Sequence, residues 1–229
     1  MDERLAQRAR TPRYTMAEAG GLVGRPAETV RRWSLGHRRR YKGQPATDHP
    51  LIVVDGDPEK SRIVLSFLNL LELRMLSSYR DEAALQAIRR ALDFAGHELG
   101  EPRPLLSRRF HVRGGELFTK FAETPDGKQL LVNASRHGQT TLATLMESLA
   151  VTDDIDYSNE TAHRWWYHTR EAPILVDTRV AGGHPITAST GVRLDAITSR
   201  SKSGYTTDEI ARDTGATKDE IESVLRLAA

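Results

Sequence analysis

Cysteine is absent from this chain of 229 residues, which excludes disulfides, thiolate zinc sites and cysteine nucleophiles. No stretch of the sequence approaches the roughly 18 consecutive apolar residues of a membrane-spanning helix. The first ten residues lack the apolar core of a secretory signal, so none is expected. A hydrophobic content of 38% and a mean hydropathy of -0.50 predict a globular protein of the cytosol.

The motifs of common enzymes are missing as well. The sequence has no phosphate-binding glycine loop and no dinucleotide fingerprint. His163 and His168 are five residues apart, which does not suit two metal ligands on one helical face. Asp153, Asp154 and Asp156 have carboxylates that suit a hard cation, but their spacing matches no calcium loop and favours a solvated acidic strand. We therefore predict no cofactor, no metal and no catalysis; an enzyme with an unrecognised site is one alternative.

Positive charge is concentrated near the N-terminus. Residues 1–50 contain 11 Lys and Arg against 5 Asp and Glu, whereas residues 51–229 contain 22 against 26. The net charge of +2 hides this difference. A local excess of basic side chains indicates contacts with nucleic-acid phosphates.

The pattern of residues 14–33 predicts a helix-turn-helix. Thr15 and Glu18 have capping-box spacing at the start of a first helix. Gly24 suits a tight turn with a positive backbone angle, and Pro26 suits the first position of a second helix because its missing N–H needs no partner there. These signals agree with one another, although a plain helical hairpin with a basic face is the alternative.

The second helix of this motif is expected to enter a DNA major groove. Val30 and Trp33 are three residues apart and predict a buried stripe, while Thr29, Arg31 and Arg32 point elsewhere. A basic wing is expected over residues 34–54, with a hairpin, a loop and a short strand at residues 51–54. The predicted DNA-binding residues are therefore Thr29, Arg31, Arg32, Arg38, Arg39, Arg40 and Lys42.

We expect an α+β fold, mainly α, in three parts. A winged helix-turn-helix domain covers residues 1–61 and starts with a loose basic arm. A middle region of helices and β-hairpins covers residues 62–172, and a C-terminal domain like a second helix-turn-helix covers residues 173–229. Residues 62–80 are apolar around most of a helix, which predicts burial on several sides, either as a spine that joins the wing to the rest of the chain or as a dimer helix.

The rest of the middle region changes its hydrophobic period. An amphipathic helix is expected at residues 82–99, and three short strands within residues 108–132. A helix is expected at residues 140–149. Trp165, Trp166 and Tyr167 lie in a predicted connector, where they serve packing between domains or a partner or dimer interface.

The C-terminal part repeats the N-terminal pattern. Counted from Thr15 and from Thr206, the offsets +3 and +9 give Glu and Gly in both segments, and +15 and +18 give apolar residues or Trp. The second helix of the repeat carries Lys218, Asp219, Glu220 and Glu222, and its acids would repel phosphates. We interpret this repeat as a packing or dimerisation module rather than a second DNA reader.

Two segments resemble known families. Residues 14–33 with the basic wing resemble the N-terminal half of a MerR-type winged helix. Residues 174–227 resemble a small antitoxin domain, although Ser189 replaces its usual glycine and Thr187 an apolar residue. The three matching segments of that domain are Ile174–Val176, Gly183–Val192 and Gly204–Ala211.

The order of these parts resembles VapB-type antitoxins of bacterial type II toxin–antitoxin pairs. The resemblance implies a cytoplasmic antitoxin that neutralises a PIN-domain ribonuclease toxin and represses its own operon by binding operator DNA, as a homodimer and without a membrane. Partner contacts are predicted at Trp165, Trp166, Tyr167 and Arg179. A MerR-like transcriptional regulator that senses a small molecule is the other alternative.

Overall fold

The computed structural model describes most of the chain. The described residues are 3–41, 44–98, 100, 102–106, 110–113, 116–123, 129–134, 139–142, 154–158, 161–167 and 174–228. They form two compact units: the head unit is residues 14–152, and the tail unit combines residues 1–13 with 153–229. The boundaries expected at residues 61 and 172 stay a prediction.

Helices dominate the described residues. In chain order they are α1 (Glu3–Arg10), α2 (Met16–Val23), α3 (Ala27–Leu35), α4 (Phe67–Glu82), α5 (Leu85–Glu98), α6 (Leu194–Lys202), α7 (Thr207–Thr214) and α8 (Lys218–Ala228). The predicted class, α+β and mainly α with an N-terminal helix-turn-helix, is confirmed. No described helix has the length and apolar character needed to cross a bilayer.

The strands form one hairpin and two larger sheets, all antiparallel. They are β1 (His37–Tyr41), β2 (Gln44–Asp48), β3 (Phe110–Arg113), β4 (Glu116–Glu123), β5 (Gln129–Asn133), β6 (Gln139–Leu142), β7 (Ile155–Ser158), β8 (Thr161–Trp166), β9 (Ile174–Asp177) and β10 (Pro185–Thr187). The head unit holds the β1-β2 hairpin and the sheet β3-β4-β5-β6. The tail unit holds the sheet β10-β9-β8-β7.

Helix α4 forms the centre of the head unit. Its side chains are buried around most of its circumference, including Phe67, Leu71 and Met75, each 0% exposed. Ser66 caps its start, with Asn69 completing the capping box. The expectation of burial on several sides is therefore correct. The apolar residues of α4 are used within one chain, so they do not offer the dimer surface that the sequence also suggested.

Four local expectations differ from the structure. Residues 51–54 are not a strand, and the segment at 139–142 is strand β6 rather than the start of a helix, because it pairs with β5. Residues 143–150 of that expected helix lie outside the described residues. Trp165 and Trp166 belong to strand β8 and not to a connector. Residues 3–10 are not a loose arm: α1 packs against β8, with Leu5 and Ala9 buried.

The tail unit has its own apolar core. Its centre brings β9 together with α6, α7 and α8 through Ile174, Ile197, Ile210, Ile221 and Val224, each 0% exposed. The predicted repeat is present in space as well, because α8 begins 12 residues after Thr206, just as α3 begins 12 residues after Thr15. Both segments therefore form a helix, a tight turn and a second helix.

Candidate nucleic-acid interface

The helix-turn-helix of the head unit is held by local hydrogen bonds. Thr15 Oγ1 accepts from the backbone N–H of Glu18 at 3.2 Å, and Glu18 Oε2 accepts from the N–H of Thr15 at 2.8 Å. Gly24 ends α2 in the left-handed region with φ of 65°. A Cβ on Gly20 would lie 2.6 Å from the carbonyl oxygen of Arg25, so the turn packs directly on α2. The predicted cap and turn are thus confirmed, whereas Pro26, expected at the first position of the second helix, stands one residue before α3.

Helix α3 separates a buried face from a basic one. Val30 is 0% exposed and Trp33 is 5% exposed, which confirms the buried stripe. Arg31 and Arg32 are exposed, and neither side chain has a hydrogen bond or ion pair with another described residue. Guanidinium groups that no other described residue holds are available to bind an external anion.

The wing places further basic residues beside α3. Strand β1 pairs with β2 so that Arg38 lies opposite Thr47 and Arg40 opposite Pro45. Arg38 is exposed, the structure describes only the backbone of Arg39 and Arg40, and Lys42 lies outside the described residues.

Four of the seven predicted DNA-binding residues line two separate hollows. Arg31 and Arg38 share one of about 400 Å³. Thr29 and Arg32 share another of about 500 Å³, and His37 borders both. The structure therefore brings α3 and the wing together, but it does not place Arg31 and Arg32 in the same hollow.

Arg25 anchors the helix-turn-helix to the rest of the head unit. Its Nε donates to Ser77 Oγ at 2.7 Å, its Nη2 donates to the Ser77 carbonyl oxygen at 2.8 Å, and its guanidinium pairs with Asp81. Ser77 Oγ in turn donates to the carbonyl oxygen of Val23 at 3.0 Å. The sequence carried no signal for this contact, because the partners lie more than 50 residues apart.

The predicted partner residues lie in or next to the sheet of the tail unit: Trp165 and Trp166 are in β8, Tyr167 follows β8, and Arg179 follows β9. Trp165 is 1% exposed and meets Tyr167 edge to face at a centroid distance of 5.2 Å, so its ring belongs to the core. Trp166 and Tyr167 are half-buried. The indole N–H groups of Trp165 and Trp166 donate to Asp154 and Asp156 at 2.8 and 3.0 Å. A partner surface is therefore expected only at Trp166, Tyr167 and Arg179.

These indole contacts also account for the acidic cluster. Asp154 and Asp156 hold tryptophan side chains, whereas Asp153 lies outside the described residues. Within the part of the chain that the structure describes, no three His, Asp or Glu side chains converge as a metal site.

Arg179 is bound to a buried carboxylate. Its Nε and Nη2 donate to the two oxygens of Asp177 at 2.9 and 2.7 Å, and Arg164 Nε donates to the same carboxylate at 3.0 Å. Burial alone would raise the pKa of Asp177, but hydrogen bonds from Arg179 and Arg164 outweigh it and the pKa is lowered. The hydrogen bond with Asp177 likewise raises the pKa of Arg179. The side chain of Arg179 is nevertheless 44% exposed.

The second helix-turn-helix differs from the first in its surface. Thr206 and Glu209 form a capping box, and Gly215 ends α7 with φ of 75°. On α8, Asp219 and Glu222 are exposed, whereas Glu220 is 3% exposed. The exposed acids support the interpretation that α8 does not read DNA.

The comparisons with known proteins agree with this arrangement. Residues 12–92 match a family described as "Putative DNA-binding HTH domain". The chain is 28% identical over 234 residues to "Putative antitoxin VapB45" of Mycobacterium tuberculosis, an alignment that covers 98% of this chain and 97% of that protein. The crystal structure of Rv2018 from Mycobacterium tuberculosis matches with a TM-score of 0.62 at 20% identity, covering 94% of this chain and 98% of that one.

These matches confirm the resemblance to a VapB-type antitoxin with a helix-turn-helix head. The likeness to the crystal structure shows the fold over nearly the whole chain. The family match extends past the wing through α4 and into α5, beyond the boundary expected at residue 61. The likeness to MerR proteins in particular stays a prediction.

Proposed function

We propose that this protein is a cytoplasmic, non-enzymatic antitoxin that binds and neutralises a PIN-domain ribonuclease toxin and represses its own operon. The DNA-binding part of the proposal depends on Arg31 and Arg32, which are exposed on a capped helix-turn-helix and have no partner among the described residues. The family match over residues 12–92 supports the same role. A homodimer that binds paired half-sites about 34–36 Å apart fits this mode of binding.

Toxin binding is assigned to the tail unit. The whole-length similarity to "Putative antitoxin VapB45" supports a protein partner of this kind. Trp166 and Tyr167 are half-buried aromatic side chains and Arg179 is an exposed arginine, and these residue types dominate protein interfaces. The carboxylates expected around the magnesium site of a PIN nuclease would attract such a cation.

The test uses the full-length protein and the product of the neighbouring reading frame. The two proteins should purify together, and the complex should cleave RNA with magnesium far more slowly than the second protein alone. The full-length protein should bind a duplex from upstream of its gene, and Arg31→Ala should weaken this binding. Independent purification of the two proteins, with undiminished RNA cleavage, would contradict the antitoxin role.

The small-molecule alternative has one observation in its favour. A cavity of about 740 Å³ in the head unit is lined by apolar side chains such as Leu35, Leu92 and Leu105. Ser34 also lines it, and its buried hydroxyl has no hydrogen-bond partner among the described residues. The volume is in the range of ligand pockets. A small molecule that raises the unfolding temperature of the isolated protein and changes its DNA affinity would favour this reading.

A further inference from the structure

The hollow that contains Arg32 is a basic cleft built from three parts of the head unit. Arg25 and Arg32 come from the helix-turn-helix, Arg80 from α4 and Arg89 from α5. Asp48, at the end of the wing, is the acidic residue among those that line it. The cleft therefore brings four guanidinium groups together with one carboxylate, although the sequence places them in separate segments.

Part of this positive charge has no carboxylate partner among the described residues. Arg25 pairs with Asp81. Arg80 Nη1 donates to the carbonyl oxygen of Ala83 at 2.8 Å, and Arg89 Nη1 donates to that of His49 at 2.5 Å. These neutral acceptors fix the two side chains without cancelling their charge, and neither has a carboxylate partner among the described residues. An anion that enters the cleft gains charge-assisted hydrogen bonds from groups already held in place.

The cleft lies on one side of α3, where Thr29 and Arg32 are the lining residues that were predicted from sequence to bind DNA. Successive residues of an α-helix point about 100° apart, so Arg31 and Arg32 face different directions. Arg31 shares the other hollow with Arg38 of the wing. A helix lying in a major groove has a phosphate backbone along each of its sides. All the residues that line the cleft fall within the segment that matches the DNA-binding family.

We propose that Arg32, Arg80 and Arg89 form a second phosphate-binding site, which takes backbone phosphates of the operator while α3 lies in the major groove. This inference depends on the proposed DNA-binding function and specifies it further. It assigns Arg32 to the DNA backbone and leaves Arg31, beside the wing, as the arginine that reads a base. The surface that contacts DNA then includes α4 and α5, not only the helix-turn-helix and its wing.

The test compares two double variants of the full-length protein with equal loss of charge. Arg80→Gln/Arg89→Gln removes cleft residues, whereas the control Arg62→Gln/Arg212→Gln removes exposed arginines that do not line the cleft. Affinity is measured for the upstream duplex and for a random duplex of equal length between 50 and 400 mM salt. Each lost phosphate contact should flatten the slope of log affinity against log salt by about 0.9 and cost roughly tenfold in affinity near 0.1 M salt.

The cleft variant should lose affinity for both duplexes by the same factor, and the control should behave like wild type. Arg32→Gln should act like the cleft variant. Because the Arg32 side chain has no partner among the described residues, this substitution should leave the protein folded. The Arg32 variant therefore decides the test if the double variant unfolds. Wild-type slopes for both the Arg32 and the cleft variants would overturn the proposal and leave the proposed function standing. A wild-type protein that binds neither duplex would overturn both.

A small-anion site is distinguished by a separate measurement. Inorganic phosphate at millimolar concentration is added, and the unfolding temperature of wild type and of the cleft variant is recorded. If phosphate stabilises only the wild type while both proteins bind duplex equally well, the cleft holds a free anion and the proposal is wrong.

Discussion

The backbone N–H of Ser189 donates to the carboxylate of Glu220 at 3.1 Å, across 31 residues of the chain. The other oxygen of that carboxylate accepts from the N–H of Thr217 at 3.0 Å, and Thr217 Oγ1 accepts in return from the N–H of Glu220 at 3.2 Å. One buried glutamate therefore caps α8 and holds the loop before α6. The acidic start of α8 is partly a structural feature of the tail unit.

The loop held by Glu220 also explains one departure from the antitoxin pattern. Thr187 stands where that pattern has an apolar residue, and it is 0% exposed. Its hydroxyl meets Thr190 Oγ1 at 2.8 Å and accepts from the N–H of Val192 at 3.0 Å. Burial of this polar side chain is tolerated because the loop itself satisfies its hydroxyl.

The first prediction is that Glu220→Ala destabilises the tail unit. The substitution leaves the N–H groups of Ser189 and Thr217 without their acceptor, which should cost roughly 1–3 kcal/mol. The control Glu222→Ala removes an exposed acid from the same helix and should change the free energy of unfolding by no more than about 0.5 kcal/mol. Hydrogen exchange measured by mass spectrometry reports the two units separately. Equal effects of both variants would show that Glu220 has no capping role.

The second prediction separates anchoring from DNA contact in the head unit. Arg25→Ala should lower the stability of the head unit by roughly 1–3 kcal/mol, because Ser77 and Asp81 lose their partner. Arg31→Ala should leave stability within about 0.5 kcal/mol and weaken DNA binding, because Arg31 has no described partner.

Denaturant unfolding and operator affinity, measured on the same preparations, check this separation. Arg25→Lys should recover little stability, because an ammonium does not reproduce the fork of donors that reaches Ser77 and Asp81. The assignment would be wrong if Arg31→Ala destabilised the head unit as much as Arg25→Ala.

The sequence predicts features whose partners are close together in the chain. Thr15 and Glu18 are three residues apart, so their capping box is visible in the residue order, and the same spacing identifies Thr206 and Glu209. The buried stripe of Val30 and Trp33 follows from helical spacing. Short-range chemistry was therefore sufficient to find both helix-turn-helix segments.

The errors arose where distant pairing decides the structure. Trp165 and Trp166 are in a strand because they pair with Val176 and Leu175 of β9. Leu142 is in a strand because it pairs with Leu130, although its own neighbours favour a helix. The basic cleft could not be predicted from the residue order for the same reason, because Arg32, Arg80 and Arg89 meet only after α3, α4 and α5 have packed.

The third prediction concerns the N-terminal helix α1. Leu5 is 6% exposed and α1 packs on β8, so Leu5→Ala should destabilise the tail unit by about 2–4 kcal/mol. Arg4→Ala, at an exposed neighbouring position, serves as the control and should have little effect. Faster hydrogen exchange in β8 and β9 of the Leu5 variant would confirm the contact. Unchanged exchange there would show that α1 is not part of the tail unit.

The last prediction is a pH dependence of tail-unit stability. His163 is 8% exposed, and its Nδ1 has no hydrogen-bond partner among the described residues. Burial, together with the positive charges of Arg179 and Arg164, lowers the pKa of His163 below its ordinary 6.5, although Asp177 opposes this shift. In the folded protein the imidazole therefore takes up a proton less readily than in the unfolded chain.

The direction of the pH dependence follows from this difference in pKa between the folded and unfolded protein. As the pH falls below about 6.5, the unfolded chain binds a proton at His163 that the folded protein does not bind. The free energy of unfolding therefore keeps its full His163 contribution above this pH. Below it, the free energy of unfolding declines by at most about 1.4 kcal/mol per pH unit. The lowered pKa of Asp177 acts only at more acidic pH, below about 4. Urea midpoints measured from pH 7.5 to 5.5 should therefore fall less steeply for His163→Gln than for wild type. The control His97→Gln, at an exposed position, should keep the wild-type slope, and equal slopes for all three proteins would refute the assignment.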